Sequence, residues 1–255
     1  MPLETYVNPK SPISEAYRVL RTNIQYSSFD TPLKSVVITS SIPGEGKTTT
    51  VSNLAITFAQ LGSKVLLIDA DLRKPKIHKI FSIENHCGLT NILVNRDDYK
   101  KYINKSAIEN LDIITCGVIP PNPSELLTSN AMRSFIQKTK EDYDIVFLDS
   151  PPIGTVTDAA IISTIVDGTI LVAASGVVDS VTLLEAKEQL DKVNANIIGV
   201  VLNKVDKNSQ GKYYYYQYYY YGDSDDSQPH QKIKRKKRKR IKNTSFFSRI
   251  FKKGN

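Results

Sequence analysis

Short apolar runs alternate with segments of helical periodicity between residues 34 and 203. The runs are apolar at consecutive positions, which is typical of strands buried on both faces of a parallel sheet. Six strands are predicted: Ser35–Thr39, Lys64–Ile68, Leu111–Thr115, Asp144–Leu148, Thr169–Ala173 and Ile197–Leu202. Four helices are predicted between them: Lys47–Leu61, Ser129–Glu141, Thr157–Ile165 and Ser180–Val193. This alternation predicts an α/β fold with a doubly wound, mainly parallel sheet, in which ligands bind at the carboxyl ends of the strands.

Two further regions flank this pattern. Residues 11–27 have the pattern of a helix, with Ser14 as a candidate N-cap, and regular patterning ends after Asp206. Eight of the 14 tyrosines then fall between Tyr213 and Tyr221, followed by an acidic spacer and a basic run. We therefore expect an N-terminal extension (1–33), a core domain (34–207), a tyrosine cluster with its acidic spacer (208–227) and a polybasic tail (228–255), the last two flexible in isolation.

The charge of the chain is unevenly distributed. The 255 residues include 34 Lys and Arg against 26 Asp and Glu, but residues 232–255 hold 12 of the basic side chains and no acidic one. The mildly acidic remainder argues against a nucleic-acid-binding body. Two distant cysteines form neither a disulfide framework nor a zinc motif. With no signal-peptide pattern and no apolar run near the roughly 18 residues of a membrane span, we expect a cytoplasmic protein.

A glycine-rich turn follows the first predicted strand and leads into a helix. Such a turn surrounds phosphate oxygens with backbone N–H groups at a helix N-terminus, the arrangement called a P-loop. Ser41 stands where the usual motif has its first glycine, which is a departure because serine tolerates positive φ less well. An incidental Gly-Lys-Thr at a helix start is the alternative. The candidate nucleotide-binding residues here are Ser41, Pro43, Gly44, Glu45, Gly46, Lys47, Thr48 and Thr49.

Three carboxylates are predicted at the same edge of the sheet. Asp69 and Asp71 follow the strand that ends at Ile68, and Asp149 follows the strand that ends at Leu148. Buried carboxylates are costly unless a metal or another cation shares the site. One of them can accept a proton from an attacking hydroxyl while another works with Mg²⁺.

A short motif after the last predicted strand matches the one by which GTPases bind guanine. It reads Asn203-Lys204-Val205-Asp206 and has one free position, so it is a weak signal. The D-x-x-G motif that accompanies it in GTPases is absent, because Asp149 is followed by Ser-Pro-Pro. Asn203 remains a candidate contact to the base of a bound nucleotide.

Taken together, these motifs resemble the bacterial tyrosine kinases of the capsular and exopolysaccharide type, in the short Firmicute-style form without its own membrane spans. The resemblance covers about residues 11–221. Each motif alone is modest, but the combination is highly specific. The matching segments are Glu15–Arg21, Ser41–Thr48, Leu66–Pro75, Pro120–Leu127, Asp149–Pro152 and the tyrosine cluster.

The resemblance implies an ATP- and Mg²⁺-dependent protein-tyrosine autokinase. Lys47 would bind phosphates, and Asp69 would accept the proton of the tyrosine hydroxyl. Thr48, Asp71 and Asp149 would organise Mg²⁺. Arg73 would help to balance the carboxylates. The acceptors would be Tyr213, Tyr214, Tyr215, Tyr216, Tyr218, Tyr219, Tyr220 and Tyr221.

The resemblance also implies partners. In the family, a Glu-x-x-Arg-x-x-Arg helix mediates assembly of a homo-oligomeric ring, and here Glu15, Arg18 and Arg21 occupy those positions. A solvated helix face is the alternative for these three residues. A ring would allow phosphorylation in trans between subunits. The family acts in capsule or exopolysaccharide assembly with a separate transmembrane activator of the chain-length-regulator type.

A second class of protein shares this fold, namely the partitioning and septum-positioning ATPases. These proteins carry a signature lysine early in the P-loop, where this chain has Ile42 preceded by Ser41. A tyrosine cluster is also not part of their pattern. An ATPase switch, or a scaffold without kinase activity, stays the alternative.

The polybasic tail ends in an apolar cluster formed by Phe246, Phe247, Ile250 and Phe251. At helical spacing these residues form one apolar edge flanked by basic side chains, a pattern suited to an anionic membrane surface. We therefore expect the protein at the inner face of the cell membrane as a peripheral protein. Nucleic-acid binding and an inert solubilising tail are the less favoured alternatives.

Overall fold

The computed structural model describes residues 3–27 and 32–205. The tyrosine cluster, the acidic spacer, the polybasic tail and Asp206 lie outside the described residues, so predictions that fall on them stay predictions. Within the described part, no helix combines the length and apolar character needed to cross a membrane.

A seven-stranded sheet forms the centre of the described domain, in the order β3-β4-β2-β5-β1-β6-β7. All neighbouring strands are parallel except the short β3, which pairs antiparallel with β4. The mainly parallel, doubly wound sheet predicted from the sequence is confirmed. The strands are β1 (Ser35–Ser40), β2 (Val65–Asp69), β3 (Asn104–Lys105), β4 (Leu111–Ile114), β5 (Ile145–Asp149), β6 (Gly168–Ala174) and β7 (Ile197–Asn203).

The helices lie before the first strand and in the connections between strands. All four predicted helices are present with bounds shifted by up to two residues, but several short helices were not predicted. The helices are α1 (Glu4–Val7), α2 (Pro12–Tyr26), α3 (Lys47–Gln60), α4 (Ile77–Phe81), α5 (Leu89–Asn95), α6 (Pro123–Thr128), α7 (Asn130–Asp142), α8 (Asp158–Ser163) and α9 (Ser180–Lys192), with a 3₁₀ turn at Tyr99–Tyr102.

Both faces of the central strands are buried, as expected from their uninterrupted apolar sequence. Along β2, Leu67 belongs to a cluster that includes side chains of α3, whereas its neighbours Leu66 and Ile68 belong to the opposite cluster with side chains of α5 and α7. The period of two along a strand therefore places consecutive residues in different layers. This two-sided burial leaves the carboxyl edge of the sheet as the place where polar groups converge.

The N-terminal helix differs in one detail from its prediction. Its N-cap is Ser11, whose hydroxyl accepts a hydrogen bond from Ser14 N–H, and not Ser14 itself. Pro12 occupies the first helical position, which suits proline because the N–H that it lacks would have no partner there. Ser14 is buried and donates to the carbonyl of Asn8, so its hydroxyl fastens α1 to α2.

The N-terminal extension packs directly on α3, the helix that follows the glycine-rich turn. Thr5 is buried, and both its N–H and its hydroxyl donate to Asn53 Oδ1, at 3.0 and 2.9 Å. Arg21 donates from α2 to the carbonyl of Thr57, at 2.7 Å. Polar contacts therefore fix α1 and α2 to the same helix that begins at Lys47.

We predict that Asp167 contributes to stability in a pH-dependent way. Its carboxylate accepts hydrogen bonds from Ser35 N–H at 2.9 Å and from Lys140 Nζ at 2.5 Å, which joins β1 and α7 to the loop before β6. Burial acts to raise the pKa of Asp167, but the bonds from Lys140 and Ser35 outweigh it and lower the pKa. The stabilisation is therefore present above the unfolded-state pKa and is lost as pH falls through the lower folded-state value.

Asp167→Asn should lower the free energy of unfolding by roughly 1 to 3 kcal/mol at pH 7, because a charged acceptor is removed from several part-buried donors. The difference from wild type should shrink below pH 4. Urea unfolding across pH 3 to 8 measures both effects. Asp191→Asn, which removes a helix-surface pair with Lys187, is the control and should cost less than about 0.5 kcal/mol. Equal costs for the two variants would contradict the prediction.

Candidate active site

The glycine-rich turn between β1 and α3 has the backbone of a phosphate-binding loop. Gly44 and Gly46 have φ of +87° and +94°, and Gly46 is the N-cap of α3. Ser41 is not among the residues with positive φ, so the serine at the usual glycine position causes no strain. Its carbonyl accepts from Gly154 N–H at 3.1 Å, and a Cβ at Gly154 would lie 2.4 Å from that oxygen.

Hydrogen bonds to residues at the ends of β6 and β7 hold the P-loop in place. The Glu45 carboxylate is fully buried and accepts from Ile42 N–H at 2.8 Å and from Ala174 N–H at 2.9 Å. Asn203 Nδ2 donates to the carbonyl of Glu45 at 2.8 Å, and Lys204 Nζ donates to the carbonyl of Gly44 at 2.7 Å. Glu45 and Asn203 were predicted to contact nucleotide, and in the structure their side chains hold the loop.

The three predicted carboxylates converge on Lys47. Asp69 and Asp149 are register partners at the ends of β2 and β5, and both are fully buried. Lys47 Nζ lies 3.1 Å from Asp71 Oδ2 and 3.8 Å from Asp149 Oδ1. One ammonium group therefore faces three carboxylates in a site that is nearly closed to solvent.

Burial and charge shift the pKa values of these groups. Burial raises the pKa of Asp69, and repulsion from Asp149 raises it further. Burial also raises the pKa of Asp149, against the opposing effects of Lys47 and Thr48. Burial acts to lower the pKa of Lys47, but attraction by Asp149 and Asp71 reverses this and the pKa is raised. The site therefore has more negative charge than its own lysine can balance.

The unpartnered oxygens of the site suit a divalent cation. Asp69 Oδ1 and both carboxylate oxygens of Asp149 are buried without a hydrogen-bond partner. Within the described residues, no cluster of three or more His, Cys, Asp and Glu side chains is arranged to hold a metal ion. Mg²⁺ commonly relies on one or two carboxylates, substrate phosphates and waters, not on an all-protein cage. Thr48 and Asp149 therefore fit Mg²⁺ bound together with a nucleotide.

Backbone N–H groups fix the orientation of two carboxylates. Asp69 Oδ2 accepts from the N–H groups of Lys76 and Ile77, at 3.0 and 2.9 Å. Asp71 Oδ1 accepts from Lys74 N–H at 3.0 Å. The chain after β2 thus folds back over its own carboxylates, and Asp69 keeps one oxygen that is not engaged.

Arg73 has a different partner from the one expected. Its guanidinium donates to both oxygens of Asp158, at 2.7 and 3.0 Å, and to the hydroxyl of Ser124 at 2.9 Å. Its counter-ion is therefore Asp158 on α8, while Asp71 also attracts its positive charge and raises its pKa. Sequence reasoning missed Asp158, although an acidic residue in the first turn of a helix is a usual stabilising feature and gave the only available signal.

The residues predicted for oligomerisation have partners within their own chain. Arg18 Nη1 lies 2.8 Å from the carboxylate of Glu15, one turn earlier on α2, and Arg21 reaches α3. The Glu15 side chain is 64% exposed, so it stays accessible despite this pairing. The helix therefore presents Glu15 and Arg18 as an ordered ion pair, while Arg21 is used in packing against α3.

The chain is similar to a known domain family and to several curated proteins. A family model described as an AAA domain matches residues 33–197. "Tyrosine-protein kinase YwqD" of Bacillus subtilis is 46% identical over 208 residues, covering 81% of this chain and 88% of the relative. "Tyrosine-protein kinase CpsD" of Streptococcus pneumoniae is 42% identical over 193 residues, covering 75% of this chain and 84% of the relative.

Solved structures agree with these relatives. The kinase domain of the Escherichia coli tyrosine kinase Etk superposes with a TM-score of 0.78 at 37% identity, covering 81% of each chain. The chimerical protein CapA2B2 superposes with a TM-score of 0.77 at 41% identity, covering 80% of this chain and 90% of that one. The septum site-determining protein MinD of Pyrococcus horikoshii, complexed with Mg-ADP, has a TM-score of 0.58 at 23% identity, covering 66% and 69%, which shows a shared fold alone.

We predict that the two P-loop glycines differ in their tolerance of alanine. A Cβ at Gly44 would meet nothing within 4 Å, so Gly44→Ala should cost only the roughly 1 to 2 kcal/mol of a left-handed residue. A Cβ at Gly46 would lie 2.2 Å from Asn203 Nδ2, so Gly46→Ala should cost more. Chemical unfolding of both variants, without nucleotide, measures the difference.

A double-mutant cycle identifies the cause. In an Asn203→Ala background, the cost of Gly46→Ala should fall towards that of Gly44→Ala, because the clashing amide is gone. If the cost of Gly46→Ala is unchanged in that background, Asn203 is not what excludes a side chain from this position.

Proposed function

Because the chain belongs to the family of bacterial tyrosine-protein kinases, we propose that this kinase phosphorylates the tyrosines of its own C-terminal cluster, using ATP and Mg²⁺. The observation that carries the proposal is the convergence of Asp69, Asp71 and Asp149 on Lys47 at a P-loop. The sequence supplies a matching acceptor, since eight tyrosines occupy the nine positions from Tyr213 to Tyr221.

The geometry supports Asp69 as the group that accepts the proton of the tyrosine hydroxyl. Two backbone N–H groups fix one of its oxygens, and the other oxygen has no partner. Burial raises the pKa of Asp69, and a higher pKa makes a carboxylate a stronger base. Phosphoryl transfer otherwise needs mainly positioning and charge neutralisation.

The remaining residues of the site would position the nucleotide. Lys47 and the backbone N–H groups at the start of α3 would bind the phosphates. Thr48 and Asp149 would hold Mg²⁺, which neutralises charge on the phosphates when bound. Asp71 pairs with Lys47 and completes the charged arrangement. Asn203 and Glu45 would act indirectly, by fixing the shape of the P-loop.

We place the reaction between subunits of a homo-oligomeric ring. Ten residues separate Asn203 from Tyr213, and an extended chain of that length spans at most about 35 Å, which is enough to reach a neighbouring subunit. The exposed Glu15, with Arg18 and Arg21, would contribute to the contact between subunits. By resemblance, the kinase would regulate capsular or exopolysaccharide assembly together with a transmembrane activator.

The polybasic tail would attach the kinase to the anionic inner face of the membrane. Each phosphotyrosine adds about −1.5 to −2 charges, so eight would add roughly −12 to −16 near the basic segment. The 12 basic residues of that segment carry a charge of similar size. Phosphorylation of the cluster would therefore weaken membrane attachment.

Phosphorylation in trans predicts the result of a mixing experiment. A Lys47→Met chain with intact tyrosines is the acceptor, and a chain with the eight cluster tyrosines changed to Phe is the donor. Incubation with Mg²⁺, labelled ATP and, in a parallel sample, the cytoplasmic end of a candidate activator should label the acceptor. Mass spectrometry of residues 213–221 measures the label. ATP hydrolysis without phosphotyrosine in either sample would contradict the proposal.

The same assay tests Asp69. A donor carrying Asp69→Asn should label the acceptor about 10²- to 10⁴-fold more slowly, the range expected when a general base is removed. Nucleotide binding by this variant, measured separately, should persist because the hydrogen bonds that Asp69 accepts come from the chain after β2 and not from the P-loop. Unchanged transfer by the variant would exclude Asp69 as the base.

Membrane attachment predicts a difference between phosphorylated and unphosphorylated protein. Unphosphorylated chains should float with vesicles of acidic lipid, and phosphorylated chains should float less, because the cluster offsets the basic charge. Excess DNA in a parallel sample distinguishes a lipid surface from nucleic acid as the partner. Equal flotation of the two forms would contradict this part of the proposal.

A further inference from the structure

We propose that three lysines beside the active site bind the acidic spacer that follows the tyrosine cluster of a second copy of this chain. The lysine loop, residues 72–79, covers the connection from β2 to α4 and the first turn of α4; Lys74 and Lys76 lie in the connection and Lys79 lies in the helix. The spacer contains Asp223, Asp225 and Asp226. This inference rests on the proposed function, because it describes how the tail is presented to the kinase.

The lysine loop is fixed relative to the active-site carboxylates. Lys76 N–H donates to Asp69 Oδ2 at 3.0 Å, and Lys74 N–H donates to Asp71 Oδ1 at 3.0 Å. The loop is therefore attached to the candidate base itself. A group bound by these side chains would be held at a short and constant distance from the reacting atoms.

No salt bridge within the described residues neutralises the three lysines, although Lys76 lies near enough to Asp149 to act to lower its pKa. The side chains of all three lysines are exposed, and none forms an ion pair with another described residue. Residues 72–83 contain no acidic side chain. Arg73 in the same loop is different, because Asp158 already pairs with it. The loop therefore offers three exposed cationic groups beside the site, none of them held in a salt bridge with another described residue.

The acidic spacer is a suitable occupant for this surface. It places three carboxylates within four residues, beginning two positions after Tyr221. Residues 1–207 carry 21 Lys and Arg against 23 Asp and Glu, so the rest of the domain offers no general attraction for an acidic segment. Opposite charges arranged in this way favour encounter and fix register.

The reach of the lysines limits which tyrosines can enter the site. A lysine side chain extends about 6 Å, so a carboxylate bound to Lys76 lies roughly 10 Å from Asp69, a distance spanned by three extended residues. Counting back from Asp223, this favours Tyr220 and Tyr221 over Tyr213. Each new phosphotyrosine adds negative charge, so it can replace the spacer on the lysines as the next tyrosine upstream enters.

The basic residues after position 231 could instead pair with the spacer within one chain. The two arrangements differ in a measurable way. Pairing within the acceptor chain does not depend on the lysines of the donor, whereas the proposed contact requires them.

The test uses five full-length chains in the mixing assay. Two acceptors carry Lys47→Met, one with the natural spacer and one with Asp223→Asn, Asp225→Asn and Asp226→Asn. Two donors carry the eight tyrosine-to-Phe changes, one with Lys74→Gln, Lys76→Gln and Lys79→Gln. A third donor with Arg133→Gln, Lys138→Gln and Lys192→Gln is the matched control, since these exposed residues lie on α7 and α9. Initial rates and the order of labelled tyrosines are measured at low salt.

With the unaltered donor, the natural spacer should raise the initial rate at least threefold over the neutralised one, with Tyr220 and Tyr221 labelled first. The lysine-loop donor should lose this preference and this order, and the control donor should keep both. Added salt should reduce the preference, as expected for exposed charges. Because each donor is judged by its ratio between two acceptors, a general loss of activity does not imitate the result.

Two outcomes overturn the inference in different ways. Equal rates and equal order for both acceptors, or a preference that survives in the lysine-loop donor, exclude the docking contact while leaving tail phosphorylation intact. If the unaltered donor labels neither of the two acceptors, the proposed function itself is overturned, and the docking contact with it.

Discussion

The site is governed by one constraint, the burial of three carboxylates around a single ammonium group. Lys47 lies within 4 Å of Asp71 and Asp149, and Asp69 stands beside Asp149 in register. Taking charges out of water is costly unless they are paired or hydrogen-bonded. The chain after β2 reduces that cost by donating backbone N–H groups to Asp69 and Asp71. The path of the loop that carries Arg73 and the three lysines follows from this arrangement.

The central fold was predictable because its signals are local and strong. Consecutive apolar positions in β1, β2 and β5 predicted strands buried on both sides, and the carboxylates that follow β2 and β5 predicted where they would meet. The short β3 was missed, since two residues carry no period. The same holds for α4 and α6, which end after five and six residues and depend on contacts from elsewhere in the fold. Ser11 was passed over as N-cap in favour of Ser14, although Pro12 after it fits a helix start.

The hydrogen-bond and ion-pair partners of individual side chains could not be predicted, because the partners lie in distant parts of the chain. Arg73 meets Asp158, which lies 85 positions away, and Asn203 meets the carbonyl of Glu45 across 158 positions. Sequence spacing indicated the location of Arg73 and Asn203 at the carboxyl edge but not which groups they would face. The resemblance to a family indicated the chemistry of the site, and the geometry then showed that the side chains of Glu45 and Asn203 hold the P-loop.

The ammonium group of Lys47 cannot pair fully with its present carboxylate partners and with nucleotide phosphates at the same time. In the structure its ammonium is engaged with Asp71 and lies close to Asp149. Phosphate oxygens bound at the start of α3 would compete for the same ammonium. Movement of Lys47 Nζ towards them would leave the negative charge of the carboxylates less well balanced. Because uncompensated buried carboxylates are costly, that movement would favour the binding of a divalent cation at Thr48 and Asp149. If the site binds nucleotide and Mg²⁺ as proposed, the two would therefore bind cooperatively for an electrostatic reason, because the buried carboxylates would couple them.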